Sequence, residues 1–264
     1  MTSLPPGLGF GLAGAAPEAT VLNAARAAEQ AGYRTFWLNH PPSYDALPKL
    51  GRVAEATAIP VGTGVIPVSA RTSASILDGI SAARLPVERF RLGIGSGTGP
   101  KPLGRVRAAI ADLRANSEAE LVLGALGPRM CGLAGELADA VLLSQLTPAG
   151  ARGLIQLVHE AAAAAGRPRP KIYVQVRTAL GAPGIAALER EAAGYQRLAV
   201  YAAAYQRLGT GPLDAAVRAT SPAEVRAGLE PWAGLADEVV IRALTADDAT
   251  EDVLAILEAA RGTF

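Results

Sequence analysis

The sequence predicts an α/β fold, a (β/α)8 TIM barrel built as a single domain over residues 1–264. Eight short apolar runs alternate with helical patterns almost from end to end. The runs are continuous rather than alternating, as parallel strands covered by helices on one face and packed inside a barrel on the other require. The length of 264 residues suits one well-buried barrel core, and no Ser/Thr/Pro linker, charge block or low-complexity tail divides the chain.

The predicted strands are residues 8–12, 35–38, 61–66, 90–94, 121–125, 140–143, 172–176 and 238–241. Helical patterns fill the intervals at 17–31, 44–57, 71–85, 103–115, 128–137, 148–165 and 185–208, and a last one covers 249–260. The sharpest unit is LVLGALGPRMCGLAGELADAVLLSQLT at 121–147, which reads strand, helix, strand. There Gly127 permits a sharp turn and Pro128 suits the first helical position, where a missing N–H costs nothing. The rhythm breaks around 185–235, where Gly-Thr-Gly-Pro and an extra helix at 222–229 form a helical insertion before the last strand, read as barrel decoration. YQRL occurs at Tyr195 and at Tyr205, on what the pattern predicts to be one long helix. A doubly wound sheet would more often show fewer strands and GxGxxG after the first, whereas this chain has Gly9-Phe10-Gly11-Leu12-Ala13-Gly14.

Composition narrows the function classes. Net charge is +1 with acids and bases interspersed, which offers nothing to recruit nucleic acid. No apolar run approaches the roughly 20 residues of a membrane span, and MTSLPPGLGFG lacks a basic n-region and a long h-region, so a cytoplasmic protein is expected. One cysteine and two histidines offer no metal-ligand cluster, and no metal is expected. Neither a GxSxG elbow nor a pair of carboxylates at strand ends supports a hydrolase. Cys131, inside a helical pattern, reads as a buried inert thiol, and His159, deep in another, as surface or packing.

Active sites of such barrels lie at the C-terminal ends of the strands, which restricts the candidates. His40 follows the second run, where an imidazole transfers protons near neutral pH, and Tyr44 follows it as a second proton source. Gly95-Ser96-Gly97-Thr98-Gly99 follows the fourth run, and Thr63-Gly64-Val65 carries a glycine inside the third. Glycine at these places allows close approach of backbone to a flat or anionic group. The free amides at the start of the fifth helix hold a phosphate in many proteins. Phe10, Trp37 and Tyr44 read as the aromatic lining of a substrate pocket, with Asn39 beside them.

Four segments together resemble the bacterial luciferase-like flavin and deazaflavin oxidoreductases, in particular their coenzyme F420-dependent branch. They are GALGPRMCGLAGELADAVLLSQLTP at 124–148, IPVGTGVIPVSARTSASI at 59–76, RFRLGIGSG at 89–97 and AGYRTFWLNH at 31–40. The resemblance implies a barrel whose mouth holds the ring of F420, or alternatively of FMN. It implies a bulge, often with a non-prolyl cis peptide, at Gly64-Val65 behind the ring, with Thr63 beside it. It places Gly95, Ser96, Gly97 and Thr98 against the ring or ribityl chain. It places Ala125, Leu126, Gly127, Pro128, Arg129 and Met130 around the ribityl chain and phosphate. His40 is similar to the family histidine that assists proton transfer. Where the family shows Trp, two residues, Asp and His, this chain has Trp37-Leu38-Asn39-His40, and an amide cannot supply a carboxylate's charge to the histidine. Arg71, Lys101, Arg105, Arg107 and Arg129 are the expected basic rim for the oligoglutamate tail of F420. Hydride exchange with a small organic substrate is the implied activity. An FMN-dependent monooxygenase and a non-catalytic flavin- or deazaflavin-binding paralogue are the alternatives. A homodimer is expected because twofold assemblies are common.

Overall fold

A computed structural model describes residues 7–41 and 43–264. Residues 1–6, on which the reading of the N-terminus rests, and Pro42 lie outside the described residues. The strands are β1 (Gly7–Ala13), β2 (Thr35–Asn39), β3 (Val61–Thr63), β4 (Ile66–Pro67), β5 (Phe90–Gly95), β6 (Glu120–Ala125), β7 (Ala140–Ser144), β8 (Lys171–Leu180), β9 (Ala216–Ala219) and β10 (Glu238–Leu244). The helices are α1 (Glu18–Gln30), α2 (Leu47–Ala56), α3 (Ser73–Ala82), α4 (Pro102–Asn116), α5 (Pro128–Leu137), α6 (Pro148–Ala164), α7 (Gly181–Gln196), α8 (Ala199–Leu208), α9 (Pro222–Leu229) and α10 (Thr250–Ala260).

The strands run β10-β1-β2-β3-β5-β6-β7-β8, and pairing of β10 with β8 closes the ring. Every pairing is parallel. The predicted eight-stave barrel therefore forms, with the third stave broken into β3 and β4. Proline at the first turn opens α4, α5, α6 and α9, and the Thr147 and Ser221 hydroxyls cap α6 and α9 by accepting N–H bonds from Gly150 and Glu224. Among the described residues no helix is long and apolar enough to cross a membrane.

Two expectations change between β8 and β10. The pattern at 185–208 is two helices, not one, because α7 ends at Gln196 and α8 starts at Ala199; the YQRL copies therefore sit on different helices. The short strand β9, absent from the sequence reading, pairs with Arg177–Leu180 of β8, where β7 has already ended opposite Gln175. A strand of four residues flanked by turns leaves too little periodicity to stand out.

Inside the barrel, the floor is ionic. Arg91 Nη1 lies 2.8 Å from Glu238 Oε2, and Glu238 accepts further bonds from Thr35 Oγ1 at 3.1 Å and Trp37 Nε1 at 3.0 Å. Glu120 closes the layer by binding Lys171 at 2.9 Å and the Tyr173 hydroxyl. Above it lies an apolar layer of Trp37, Val122, Leu142 and Val240, on which Val65 packs. Small staves make room: a Cβ on Gly62 would stand 2.6 Å from the Trp37 ring, and one on Gly93 would stand 1.8 Å from the Thr63 carbonyl oxygen.

Gly93→Ala is expected to cost about 3 kcal/mol, since backbone must move to admit the methyl. Gly153→Ala, exposed on α6 with open space around it, is expected to gain roughly 0.5–1 kcal/mol. Urea unfolding of the two variants checks both signs, and equal stabilities would contradict this account of the interior.

Candidate active site at the barrel mouth

The break in the third stave shapes the mouth. β3 ends at Thr63 and β4 starts at Ile66, and the Gly64-Val65 peptide between them is cis, at the place the resemblance implied. The methyls of Val65 lie against the positions a Cβ would take on Gly93, Gly95 and Gly124, at 2.7 to 3.2 Å. Glycine at these staves thus admits the Val65 side chain, which forms a half-buried apolar platform over the inner layer. The Thr63 side chain is buried, and its hydroxyl donates to the Gly93 carbonyl and accepts from the Gly93 N–H, both at 2.9 Å.

Beside the platform stands an amide pair. Gln175 Nε2 donates to Asn39 Oδ1 at 3.1 Å, so Asn39 binds across the mouth and not to His40. His40 is 5% exposed, and its Nδ1 accepts the Ala46 N–H at 3.2 Å, ahead of α2. That bond fixes Nδ1 as the unprotonated nitrogen and leaves the proton on Nε2, which makes no hydrogen bond within the described residues. Asp45 Oδ1 lies 3.9 Å from Nδ1 but serves Arg71 at 3.0 Å and the Leu47 N–H at 3.0 Å. Burial lowers the imidazole pKa, with Asp45 opposing and Arg71 reinforcing the shift. Tyr44, half-buried, lies under the Lys49 ammonium, 4.8 Å from its ring centroid. Lys49 in turn donates to the Gly14 and Ala16 carbonyls and pins the loop after β1.

Two proposed pocket aromatics do not reach the mouth. Phe10 points outward from β1 and packs edge-on against Tyr33 at 5.8 Å, because alternate residues of a strand face opposite sides. Trp37 points inward but lies in the layer beneath Val65, fully buried, with its N–H tied to Glu238.

The glycine loop after β5 is held from within. Arg105 donates to the carbonyls of Ser96, Thr98 and Pro100 at 2.8 to 3.1 Å, and Ser69 Oγ accepts the Thr98 N–H at 3.1 Å. Of the expected basic rim, Arg71, Arg105 and Arg107 are thus engaged by Asp45, this loop and Glu136. Lys101 and Arg129 stay exposed.

At the start of α5, Ala125 is buried beneath Leu126 and Gly127, and Gly127 serves as a cap residue without a side chain. Pro128 has no N–H, and the Met130 amide turns back to the Gly127 carbonyl at 3.1 Å. Arg207 of α8 crosses to this point, donating to the Leu126 carbonyl at 2.9 Å with its guanidinium within 3.8 Å of where a Gly127 Cβ would sit. A cation at the positive end of a helix dipole is unfavourable alone and favourable once an anion joins it. The chemistry of this corner therefore fits a phosphate. Cys131, one turn on, is buried with its thiol pushed up to about 12, as an inert cysteine requires.

Sequence reasoning missed Arg207, and it missed Glu191 and Arg242, which join Arg177 in a second group on α7, β8 and β10. Segment 185–235 does more than decorate the barrel, since α7 and α8 carry Glu191, Tyr205 and Arg207 to the mouth. The signal for Arg242 was present, since it follows the run Glu238 to Ile241 just as Arg177 follows Ile172 to Val176. Arg207 had none, because its partner Leu126 lies 81 residues away.

The state of His40 gives a pH dependence. An unfolded histidine takes a proton near pH 6.5, while the buried one resists it, so stability falls as pH drops below about 6.5 and levels off below the folded value. Wild type is expected to lose stability between pH 7 and pH 5 more steeply than His40→Asn, whose amide still accepts the Ala46 N–H. Urea midpoints across that range measure it; parallel profiles would show that His40 does not titrate in this way.

The sequence profile of the luciferase-like monooxygenase family matches residues 106–261. Among solved structures, an F420-dependent secondary alcohol dehydrogenase in complex with an F420-acetone adduct superposes with a TM-score of 0.77 at 14% identity, covering 98% of this chain and 100% of that one. A coenzyme F420 dependent tetrahydromethanopterin reductase from Methanopyrus kandleri gives 0.70 at 16% identity, with 95% and 97% covered. EDTA monooxygenase from Chelativorans sp. BNC1 gives 0.70 at 13% identity, with 98% and 95% covered. These likenesses show the same fold, and the profile match across α4 to α10 shows the family: the chain belongs to the luciferase-like monooxygenases.

Proposed function

We propose that the protein is an F420-dependent oxidoreductase that exchanges hydride between the deazaflavin and a small organic substrate. The observation that carries this reading is the layout around one opening: the Val65 platform, the Asn39–Gln175 amides and the Arg207 corner at α5. When bound, the deazaflavin supplies a hydride donor or acceptor that reacts poorly with oxygen.

The chain's own work is to bind, orient and exclude water. Val65 offers a flat apolar contact to one ring face. Leu126, Gly127 and Arg129 with Arg207 hold the phosphate, and Lys101 and Arg129 at the rim favour the polyanionic tail of F420 over the single phosphate of FMN. Gly95 and the Arg105-clamped loop Ser96–Thr98 would hold the ribityl chain. His40, neutral with its proton on Nε2, donates a hydrogen bond to a substrate oxygen as negative charge develops there. Tyr44 and the Asn39 amide orient the substrate beside it. The FMN-dependent monooxygenase reading uses the same platform and phosphate corner and differs in the tail.

Titration of the purified protein with F420 and FMN in parallel tests this, read by tryptophan fluorescence in a Trp232→Phe background. Trp37 lies directly beneath the platform, whereas Trp232 is buried at Glu230–Trp232 beyond α9. Saturable quenching by F420, weakened about tenfold or more by Arg207→Gln, is the expected result. Quenching by FMN alone moves the reading to a flavin enzyme. Quenching by neither removes the cofactor assignment, and F420 binding without turnover on any substrate tried favours the non-catalytic paralogue.

A further inference from the structure

Arg177 and Arg242 occupy directly opposed positions on β8 and β10. Like charges directly opposite on neighbouring strands repel, and both guanidiniums here are buried, each with only 4% of its surface exposed. Glu191 on α7 is the one carboxylate within ion-pair distance among the described residues, so the cluster carries an excess positive charge.

The two arginines are not served alike. Arg177 Nε donates to Glu191 Oε1 at 2.5 Å and its guanidinium carbon lies 4.4 Å from the Tyr195 ring centroid; with the Gln145 amide turned to the orientation that satisfies both its atoms, its oxygen accepts from Nη1 and Nη2 at 2.9 and 3.1 Å. The amide nitrogen of Gln145 then donates to the Tyr205 hydroxyl at 2.8 Å. Arg242, by contrast, has Nη2 3.6 Å from Glu191 Oε2, Nη1 turned to the Ala243 carbonyl, and a buried Nε with no partner. Burial pulls its pKa below the usual arginine value, and Glu191 offsets this only in part against the neighbouring Arg177. A buried guanidinium with an idle donor is costly to maintain and marks a place where a further acceptor is expected.

Glu191 is also the member of the cluster that solvent reaches, with 26% of its side chain exposed. The helix that carries it ends at Gln196, five residues on, and beyond it Leu198 in the link and Val200 in the first turn of α8 are exposed. The carboxylate thus reaches inward from a helix whose far end is lightly packed.

We propose that Arg177 and Arg242 form a subsite for the oxyanion of an acidic substrate, a carboxylate, sulfonate or phosphate, and that Glu191 holds this subsite until the substrate displaces it. A carboxylate on α7 and a carboxylate on a ligand present the same two oxygens to the same fork, so one substitutes for the other. Exchange frees Glu191 to water and supplies the acceptor that Arg242 lacks. The inference rests on the proposed function for its view of which molecule enters the mouth, and the same oxyanion chemistry also occurs on the phosphate of the cofactor.

Calorimetric titration with acetate and methanesulfonate, against neutral acetamide at constant ionic strength, tests it on wild type, Glu191→Gln and Arg242→Met. Removing the competing carboxylate is expected to tighten binding of both anions about tenfold in Glu191→Gln, with no heat from acetamide. Arg242→Met, which keeps the volume and deletes the charge, is expected to fold at least as stably as wild type and to lose the anion response. Unchanged anion affinity in Glu191→Gln, equal binding of acetamide, or an intact response in Arg242→Met would each overturn the subsite. If Glu191→Gln fails to fold in chloride, recovery in acetate but not in acetamide supports the proposal, and a retained response in Arg242→Met overturns it. Repeating the titration on protein saturated with F420 or FMN separates the two sources. A response that persists assigns the subsite to the substrate, and one that vanishes assigns it to the cofactor phosphate and overturns the substrate claim. Cofactor binding without any anion response removes the subsite and leaves the hydride-transfer reading, whereas an anion response without cofactor binding does the reverse.

Discussion

One indole organises the interior of this barrel. Trp37 fills the centre of the apolar layer, and its bulk is accommodated because the neighbouring stave places Gly62 beside it, where a Cβ would stand 2.6 Å from the ring. Its N–H is a buried donor that needs an acceptor, and Glu238 from the last barrel strand supplies one. Glu238 is then a buried carboxylate that needs a cation, which Arg91 on β5 provides. A single packing choice on β2 is thereby tied to strands on both sides of the closed ring.

The mouth is built on that floor by a different logic. Below, each charge meets its opposite and the polar atoms are paired. Above, positive charge accumulates without balance: Arg207 beside an uncapped helix start, and Arg177 with Arg242 sharing one glutamate. Gln145, which braces Arg177, holds a left-handed backbone with φ 60°, unusual for a residue with a side chain. Strain and unbalanced charge sit together at the mouth of the barrel.

Much of the frame was legible in the primary structure because its causes are local. The helix at 128–137 was read to the residue, since Gly127-Pro128 announces its start and the apolar run of β7 follows within three residues. The third strand was read as one run, 61–66, whereas the chain breaks it at Gly64-Val65; apolar content continues through the break, so hydropathy alone does not reveal it. Aromatics were the least legible. Phe10 and Trp37 are apolar residues of neighbouring strands, and which of them faces outward, inward or the mouth depends on strand register and on depth within the barrel. His40 was found by its place after a strand, but the partner of its Nδ1, the Ala46 N–H, is set by how the chain enters α2.

The sequence by itself determined the barrel, the order of its staves, the glycine-lined strand ends and the family, because periodicity, turn chemistry and short motifs are properties of neighbouring residues. Only the tertiary structure decided which charges meet at the mouth. Arg177, Glu191, Arg207 and Arg242 are spread over α7, α8, β8 and β10, and closing β10 onto β8 and laying α7 and α8 across the opening brings them together. Electrostatic interaction depends on distance through space and on burial, and neither is written in the spacing of residues along the chain.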